Sequence, residues 1–224
     1  SRGLGDVYKR QLEAELSHGL RQLAKTQDAS LFMLLLAAFQ ALLHRYSGQA
    51  DIRVGVPVAN RTRAETERLI GFFVNTQVLR AEVDGGQGFE VLLRQTRQGA
   101  LQPPAHQDLP FEQLVEALAP ERNLSHSPVF QVLFNHQYAA RAERNWGELR
   151  VEPLHWDSAT AQFDLVLDTS ETAQGLMVSL AYDTDLFERS TIERLSTHFI
   201  NLLQGIVEQP HQPVAELPLL AAAE

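Results

Sequence analysis

Apolar and polar residues alternate along this chain with two different periods. Leu12, Leu16, Leu20 and Leu23 recur at helical spacing, with Glu13, Glu15, Arg21 and Lys25 off that face, which predicts an amphipathic helix. Asp28 and Ser30 offer caps for a second helix. Residues 31–46 are apolar nearly all round at first, so that helix is expected between two layers, with Gly48 ending it. Residues 51–58 alternate and are β-branched, which predicts a strand reaching Pro57. Asn60-Arg61-Thr62-Arg63 opens a polar loop, and Gly71 joins a short helical piece to an extended run. In that run Phe73, Asn75, Gln77 and Leu79 share one face, and Phe72, Val74, Thr76 and Val78 the other.

Asp84-Gly85-Gly86 reads as a turn. Phe89, Leu92, Leu93 and Thr96 fall on one helical face that ends before Pro103-Pro104, and a further helix is expected to start at Pro110. Strands are predicted over residues 129–138, 149–154, 162–168 and 176–182, the last two parted by a turn at Gln174-Gly175. The charged residues 139–147 read as a loop. Ser190-Thr191-Ile192-Glu193 reads as a capping box for a helix whose face is Ile192, Leu195, Phe199, Leu202, Leu203 and Ile206. Helices come early and late, with strands between. That order predicts an α/β two-layer sandwich with a mixed sheet and packed helices, not a regular βαβ repeat.

The ends read differently from the middle. Asp6-Val7-Tyr8-Lys9-Arg10-Gln11 looks like a translated transposase-adapter sequence. Residues 1–11 are therefore expected to be a non-native tail outside the fold. Residues 211–224 are Pro- and Ala-rich and are expected to begin a linker to a following domain.

Composition narrows the chemistry. The 224 residues are 44% hydrophobic and 21% charged, enough for a real core and against disorder. A net charge of −9 without a basic block argues against nucleic acid and anionic membranes as partners. There is no cysteine, which removes thiolate nucleophiles, disulfides and Cys-based metal sites. The apolar run over residues 31–39 is too short to span a bilayer.

Asn75 and Gln77 are polar amides on a face otherwise lined by Phe73 and Leu79. They must either bond neighbouring backbone or face a wet cavity. His106-Gln107-Asp108-Leu109-Pro110-Phe111-Glu112 is the densest polar cluster. An acid–base pair of His106 with Asp108 is one reading; a helix start, with Asp108 and Glu112 beside the exposed N–H groups, is the other. A metal site using Glu112 lacks a fourth ligand. Arg122-Asn123-Leu124-Ser125-His126-Ser127-Pro128 is a polar turn feeding the buried strand predicted from Val129. His136 and His155 read as structural histidines. No Gly-rich phosphate loop, dinucleotide fingerprint or nucleophile elbow is present.

Three of these segments, in this order and spacing, resemble core motifs of nonribosomal peptide synthetase condensation domains. Ile70-Gly71-Phe72-Phe73-Val74-Asn75-Thr76 is similar to the fifth, and residues 106–112 to the sixth. Arg122 through Phe130 resembles the seventh, with Asn123, His126 and Ser127 standing where Asp, Arg and Asn are usual. Flanking stretches agree, among them Val54-Gly55-Val56-Pro57-Val58-Ala59-Asn60-Arg61.

The resemblance implies a V-shaped pair of lobes like chloramphenicol acetyltransferase, with acyl groups meeting in a tunnel between them. Residues 12–210 would be the C-terminal lobe. The reaction implied is amide formation between carrier-tethered thioesters; epimerisation or O-acyl transfer on the same architecture, or a non-catalytic carrier-binding lobe, are the alternatives. The family's catalytic His belongs to a His-His-x-x-x-Asp-Gly motif, and this sequence has no His-His pair. The chain alone is accordingly expected to be inactive. Asn75, Thr76, Gln77 and Gln131 would then face the tunnel or lobe interface. Gly71, Arg61, His106, Gln107, Asp108, Pro110, Phe111, Glu112, Arg122, Ser125 and Pro128 would shape the motifs. The implied partners are an N-terminal lobe, donor and acceptor peptidyl carrier proteins, whose phosphopantetheine carries the acyl groups, and an adjacent adenylation domain. The implied setting is cytoplasmic, with no metal and no cofactor bound directly.

Overall fold

The computed structural model describes residues 3–61, 64–101, 109–118, 129–138, 144–146, 149–151, 160–172 and 174–220. Its first element is strand β1 (Gly3–Gln11), where the sequence predicts a tail outside the fold. These residues instead pair antiparallel with the last strand, Gly5 opposite Asp183 and Gln11 opposite Met177. Alternation is the reason: Tyr8 packs against the core, and Asp6 accepts a hydrogen bond from the Tyr182 hydroxyl at 2.8 Å.

Helix α1 (Ala14–Thr26) buries Leu16, Leu20 and Ala24. Helix α2 (Leu31–Ser47) is capped by Ser30, whose hydroxyl accepts from the Met33 N–H, and stops at Gly48 in the left-handed region at φ 69°. Leu34 to Leu42 are buried without a break, and the Phe39 ring meets Phe134 and Phe199, both at 6.3 Å. This is the between-layers helix that the apolar run predicts.

The order continues β2 (Asp51–Val58), α3 (Ala64–Glu67), β3 (Asn75–Glu82), α4 (Phe89–Leu101), α5 (Phe111–Leu118), β4 (Val132–Gln137), β5 (Arg144–Trp146), β6 (Leu149–Val151), β7 (Thr160–Ala161), β8 (Leu165–Thr172), β9 (Gly175–Asp183) and α6 (Arg189–Glu208). Among the described residues one sheet runs β3-β2-β4-β8-β9-β1-β7. The β2–β4 and β4–β8 pairs are parallel and the others antiparallel, so the sheet is mixed, as predicted. Helices α1, α2, α4 and α6 contribute Leu20, Phe39, Leu92 and Phe199 to one core with Val54, Phe134, Leu167 and Leu180 of the strands. Because side chains alternate, Arg53, Asn135, Asp168 and Ser179 point to the opposite face. Among the described residues no single helix is long and apolar enough to cross a membrane.

Some boundaries differ from expectation. Arg144–Trp146, inside the stretch read as a loop, pairs with β6. Helix α5 begins at Phe111 and Pro110 precedes it, its carbonyl accepting from Gln113 N and Leu114 N. Helix α6 begins at Arg189 after Glu188, so Ser190 is not its cap; Arg189 instead bonds Glu193 at 3.0 Å. The segment after Pro210, expected to begin a linker, folds back onto the core. Val214 and Leu217 are buried, and both their carbonyls accept from Arg45 at 2.9 Å.

Candidate functional site

Asn75 opens β3 and reaches across to the turn before α5. Its Nδ2 donates to Leu109 O at 2.9 Å, and its Oδ1 accepts from Thr76 N at 2.9 Å and Phe111 N at 3.3 Å. The Phe111 amide is one of the N–H groups that a helix start leaves without an internal acceptor. Of the two roles open to this amide in the sequence, the structure displays backbone bonding. Phe73 precedes the strand, so the shared face reduces to Asn75, Gln77 and Leu79, with Thr76 and Val78 opposite. Thr76 and Gln77 are half-buried.

The segment before Asn75 turns outward. Ile70 and Phe72 are 104% and 91% exposed, and Leu69 and Val74 about half so. Arg61 supports it from behind: its guanidinium lies 4.3 Å from the centre of the Phe73 ring and donates to Thr66 O. Gly71 fits here because a Cβ would stand 3.0 Å from the Phe73 ring.

Phe111 belongs to an aromatic stack. Its ring is 5.3 Å from Phe130, which is 5.3 Å from Phe163. The Phe130 ring lies against the backbone of Gly55 in β2, where a Cβ would stand 2.2 Å from it. Val129, just before it, has a φ of 73°, a strained conformation for a β-branched residue. Glu112 is in the first turn of α5 and exposed. The backbone carbonyl of Gln131 accepts from Asp164 N at 3.1 Å. His106, Gln107 and Asp108, and Arg122, Ser125 and Pro128, lie outside the described residues, as do His126 and His155. Pro110, Phe111 and Asn75 are thus brought together, while the acid–base reading of His106 with Asp108 falls on residues the structure does not describe.

Polar groups inside the parallel strands form a second cluster that the motifs do not signal. Asn135 of β4 donates from Nδ2 to Asp168 Oδ1 of β8 at 2.9 Å. Burial holds the Asp168 carboxyl above the usual carboxylate range, and the Asn135 bond opposes that shift. One residue on, and on the other face, His136 Nδ1 is 2.8 Å from Thr169 Oγ1, which donates to Asn135 O at 3.3 Å. The single hydroxyl proton is then used, so Nδ1–H is the donor to Thr169 and Nε2 keeps its lone pair. That Nε2 is buried without a partner among the described residues. Burial holds the imidazole below its usual range, with Glu171 pulling the other way. His136 is therefore a half-satisfied histidine where a structural one was expected. The sequence signal for this cluster is an Asp in phase with Val166 and Ser170, out of phase with the buried Leu165 and Leu167.

A cavity of about 450 Å³ opens between β3 and α4. Thr96 Oγ1 donates to Gln40 Oε1 at 3.0 Å at its base, and both side chains are buried. Among the described residues no three His, Asp or Glu side chains are placed to share a metal ion.

Comparison with known proteins agrees along the whole chain. The family model for the condensation domain matches residues 3–224. The chain is similar to two proteins of the linear gramicidin synthase of Brevibacillus parabrevis, 48% identical over 223 residues to one and 46% identical over 222 residues to the other. It is 38% identical over 220 residues to surfactin synthase subunit 1 of Bacillus subtilis. Each alignment covers 98% of this chain, but the chain spans only 4%, 3% and 6% of those proteins' lengths. Among solved structures it superposes on a four-domain nonribosomal peptide synthetase bound to AMP and glycine with a TM-score of 0.89 and 25% identity, over 99% of this chain and 18% of that one. It matches the first condensation domain of the CDA synthetase with a TM-score of 0.80 and 22% identity, over 99% of this chain and 49% of that one.

Proposed function

We infer, because this chain belongs to the condensation domain family, that it supplies one of two lobes that together join carrier-tethered acyl and aminoacyl groups by an amide bond. The observation that supports this most is that the whole chain overlays about half of a solved condensation domain. The other half of such a domain would close over the sheet face opposite the helices and the outward segment around Phe72. The proton chemistry would come from a His-His-x-x-x-Asp-Gly motif there, since this sequence contains no His-His pair.

In this reading the chain is a lobe like those of chloramphenicol acetyltransferase, a wall that orients substrates. Asn75, Thr76, Gln77 and Gln131 stand at the tunnel or lobe interface. Asn75 does so while its amide holds the start of α5. The thioesters ride on phosphopantetheine arms that belong to donor and acceptor carrier proteins, and an adenylation domain supplies activated amino acid in the cytoplasm.

The test is reconstitution. The complete condensation domain of the parent synthetase, given loaded donor and acceptor carriers, is expected to form an amide detectable by mass spectrometry. The 224-residue chain alone is expected to form none. Inversion at the α-carbon without amide formation would assign epimerisation instead, and an ester product would assign O-acyl transfer. Amide formation by the chain alone would overturn the division of labour.

A further inference from the structure

Asp168 sits midway along β8 on the face turned away from the four packed helices. Its register neighbours on that face are Asn135 of β4 and Ser179 of β9, with Lys9 of β1 opposite Ser179. Oδ1 takes the Asn135 bond, and Oδ2 accepts none among the described residues. Other half-buried carboxylates of the sheet carry a cation: Glu171 pairs with Arg21 at 2.9 Å, and Asp51 with both Arg53 and Arg80. Among the described residues no cationic group pairs with Asp168.

A half-buried carboxylate without a counter-charge is costly. An apolar side chain would suit the position, because Val166 and Ala181 share this face. The carboxyl is oriented by a dedicated amide and still keeps an oxygen free. Asn135 Oδ1 and the Ser179 hydroxyl on the adjoining strands also have no donor among the described residues. Asp168 Oδ2 and the Ser179 hydroxyl thus belong to register neighbours on adjoining strands. An ammonium group has three donors and one positive charge, which suits a carboxylate oxygen with a neutral acceptor on the next strand.

We propose that Asp168, oriented by Asn135, is a contact, on the sheet face opposite the four helices, for the ammonium group of an amine-bearing substrate. This rests on the amide-forming reading, in which one substrate must present an amine. Asp168 contributes charge recognition through Oδ2, and Ser179 contributes a neutral acceptor on the adjoining strand. Asn135 is a positioning residue, because its bond to Oδ1 sets which carboxylate oxygen stays available.

The experiment uses the complete condensation domain of the parent synthetase and two probes. One is an aminoacyl-pantetheine amide; the other is its analogue with hydroxyl in place of the amine. Affinities are read by calorimetry. Asp168→Asn is expected to weaken the amine probe about tenfold, the loss of one charge-assisted contact. The hydroxyl probe should change by less than about twofold. Asp168→Ser repeats the test should the first variant disturb strand pairing. Equal losses for both probes, or no loss for either, would overturn the proposal. The carboxyl would then serve the packing of this face or pair with a basic side chain of the polypeptide that covers it. Amide product from the wild-type domain is measured in parallel. A domain that binds the amine through Asp168 and forms no amide sinks the amide-forming reading and leaves this contact standing.

Discussion

Asn75 directs its carboxamide to backbone groups far along the chain, 34 and 36 residues away. Replacing it with Ala removes an acceptor for the Phe111 amide and a donor to Leu109, which resembles the loss of a helix cap. A cost of about 1 kcal/mol is expected, measurable by urea denaturation, with faster proteolysis within residues 109–118. Asn75→Asp should recover part of it, since a carboxylate still accepts from Thr76 N and Phe111 N. Equal losses in the two variants would show that the donated bond to Leu109 carries the whole effect. Asp168 calls for the opposite sign. Its folded carboxyl titrates above the unfolded value of 3.8, so its ionised form disfavours folding. That penalty is present above the folded pKa and disappears as pH falls below the unfolded one. Asp168→Asn should therefore raise thermal stability at pH 7, and the gain should vanish towards pH 3. A destabilised variant at pH 7 would mean that the carboxylate is compensated in the native state.

At the scale of elements, the join between β2 and β4 rests on an absent side chain. The Phe130 ring occupies the space that a Cβ at Gly55 would need, and Phe130 is 1% exposed between Phe111 and Phe163. Gly55→Ala should cost about 1–3 kcal/mol as overpacking, seen as a lowered denaturation midpoint. Phe130→Leu in the same chain should return part of that loss as a coupling energy. A drop of less than about 0.5 kcal/mol for Gly55→Ala would mean that the ring can withdraw. This stack, like the Asn75 clasp, joins residues that no local pattern connects. Elements with a clear period are legible in the sequence: α1, α2, α4 and the face of α6 from helical spacing, and β2 and β9 from alternation. Strand β1 hides behind an adapter-like string, although its residues alternate. Strand β5 is three residues in a charged stretch, too short for a period to show. Strand β8 begins about three residues later than the pattern suggests, because Gln162 and Phe163 continue its alternation without joining the ladder, which starts with the Asp164 bonds to Gln131 and Asp183. The motif strings point to the family, yet the pairing of Asp168 with Asn135 needs the β4–β8 register, which the sequence does not state.

At the scale of the whole molecule, the two faces of the sheet differ among the described residues. Four helices seal the first; the second carries a row of polar side chains and, at its β2–β4 part, the Phe130 stack. Beside β3 the segment with Leu69, Ile70, Phe72 and Val74 projects outward, and its apolar side chains follow one another closely in sequence. On the proposed two-lobe reading this run would face the other lobe, and each large side chain so covered is worth about 1.5–3 kcal/mol. Replacing Ile70 and Phe72 together with Ser should change the chain's own unfolding free energy by no more than about 0.5 kcal/mol, because neither is buried within it. The same pair of substitutions should reduce self-association in sedimentation velocity. It should also weaken reconstitution with the complementary half of the domain, added in trans, by at least about tenfold. A stability loss above about 2 kcal/mol would mean that the segment packs on its own lobe in solution. Unchanged reconstitution would mean that this segment is not part of the contact with that half of the domain.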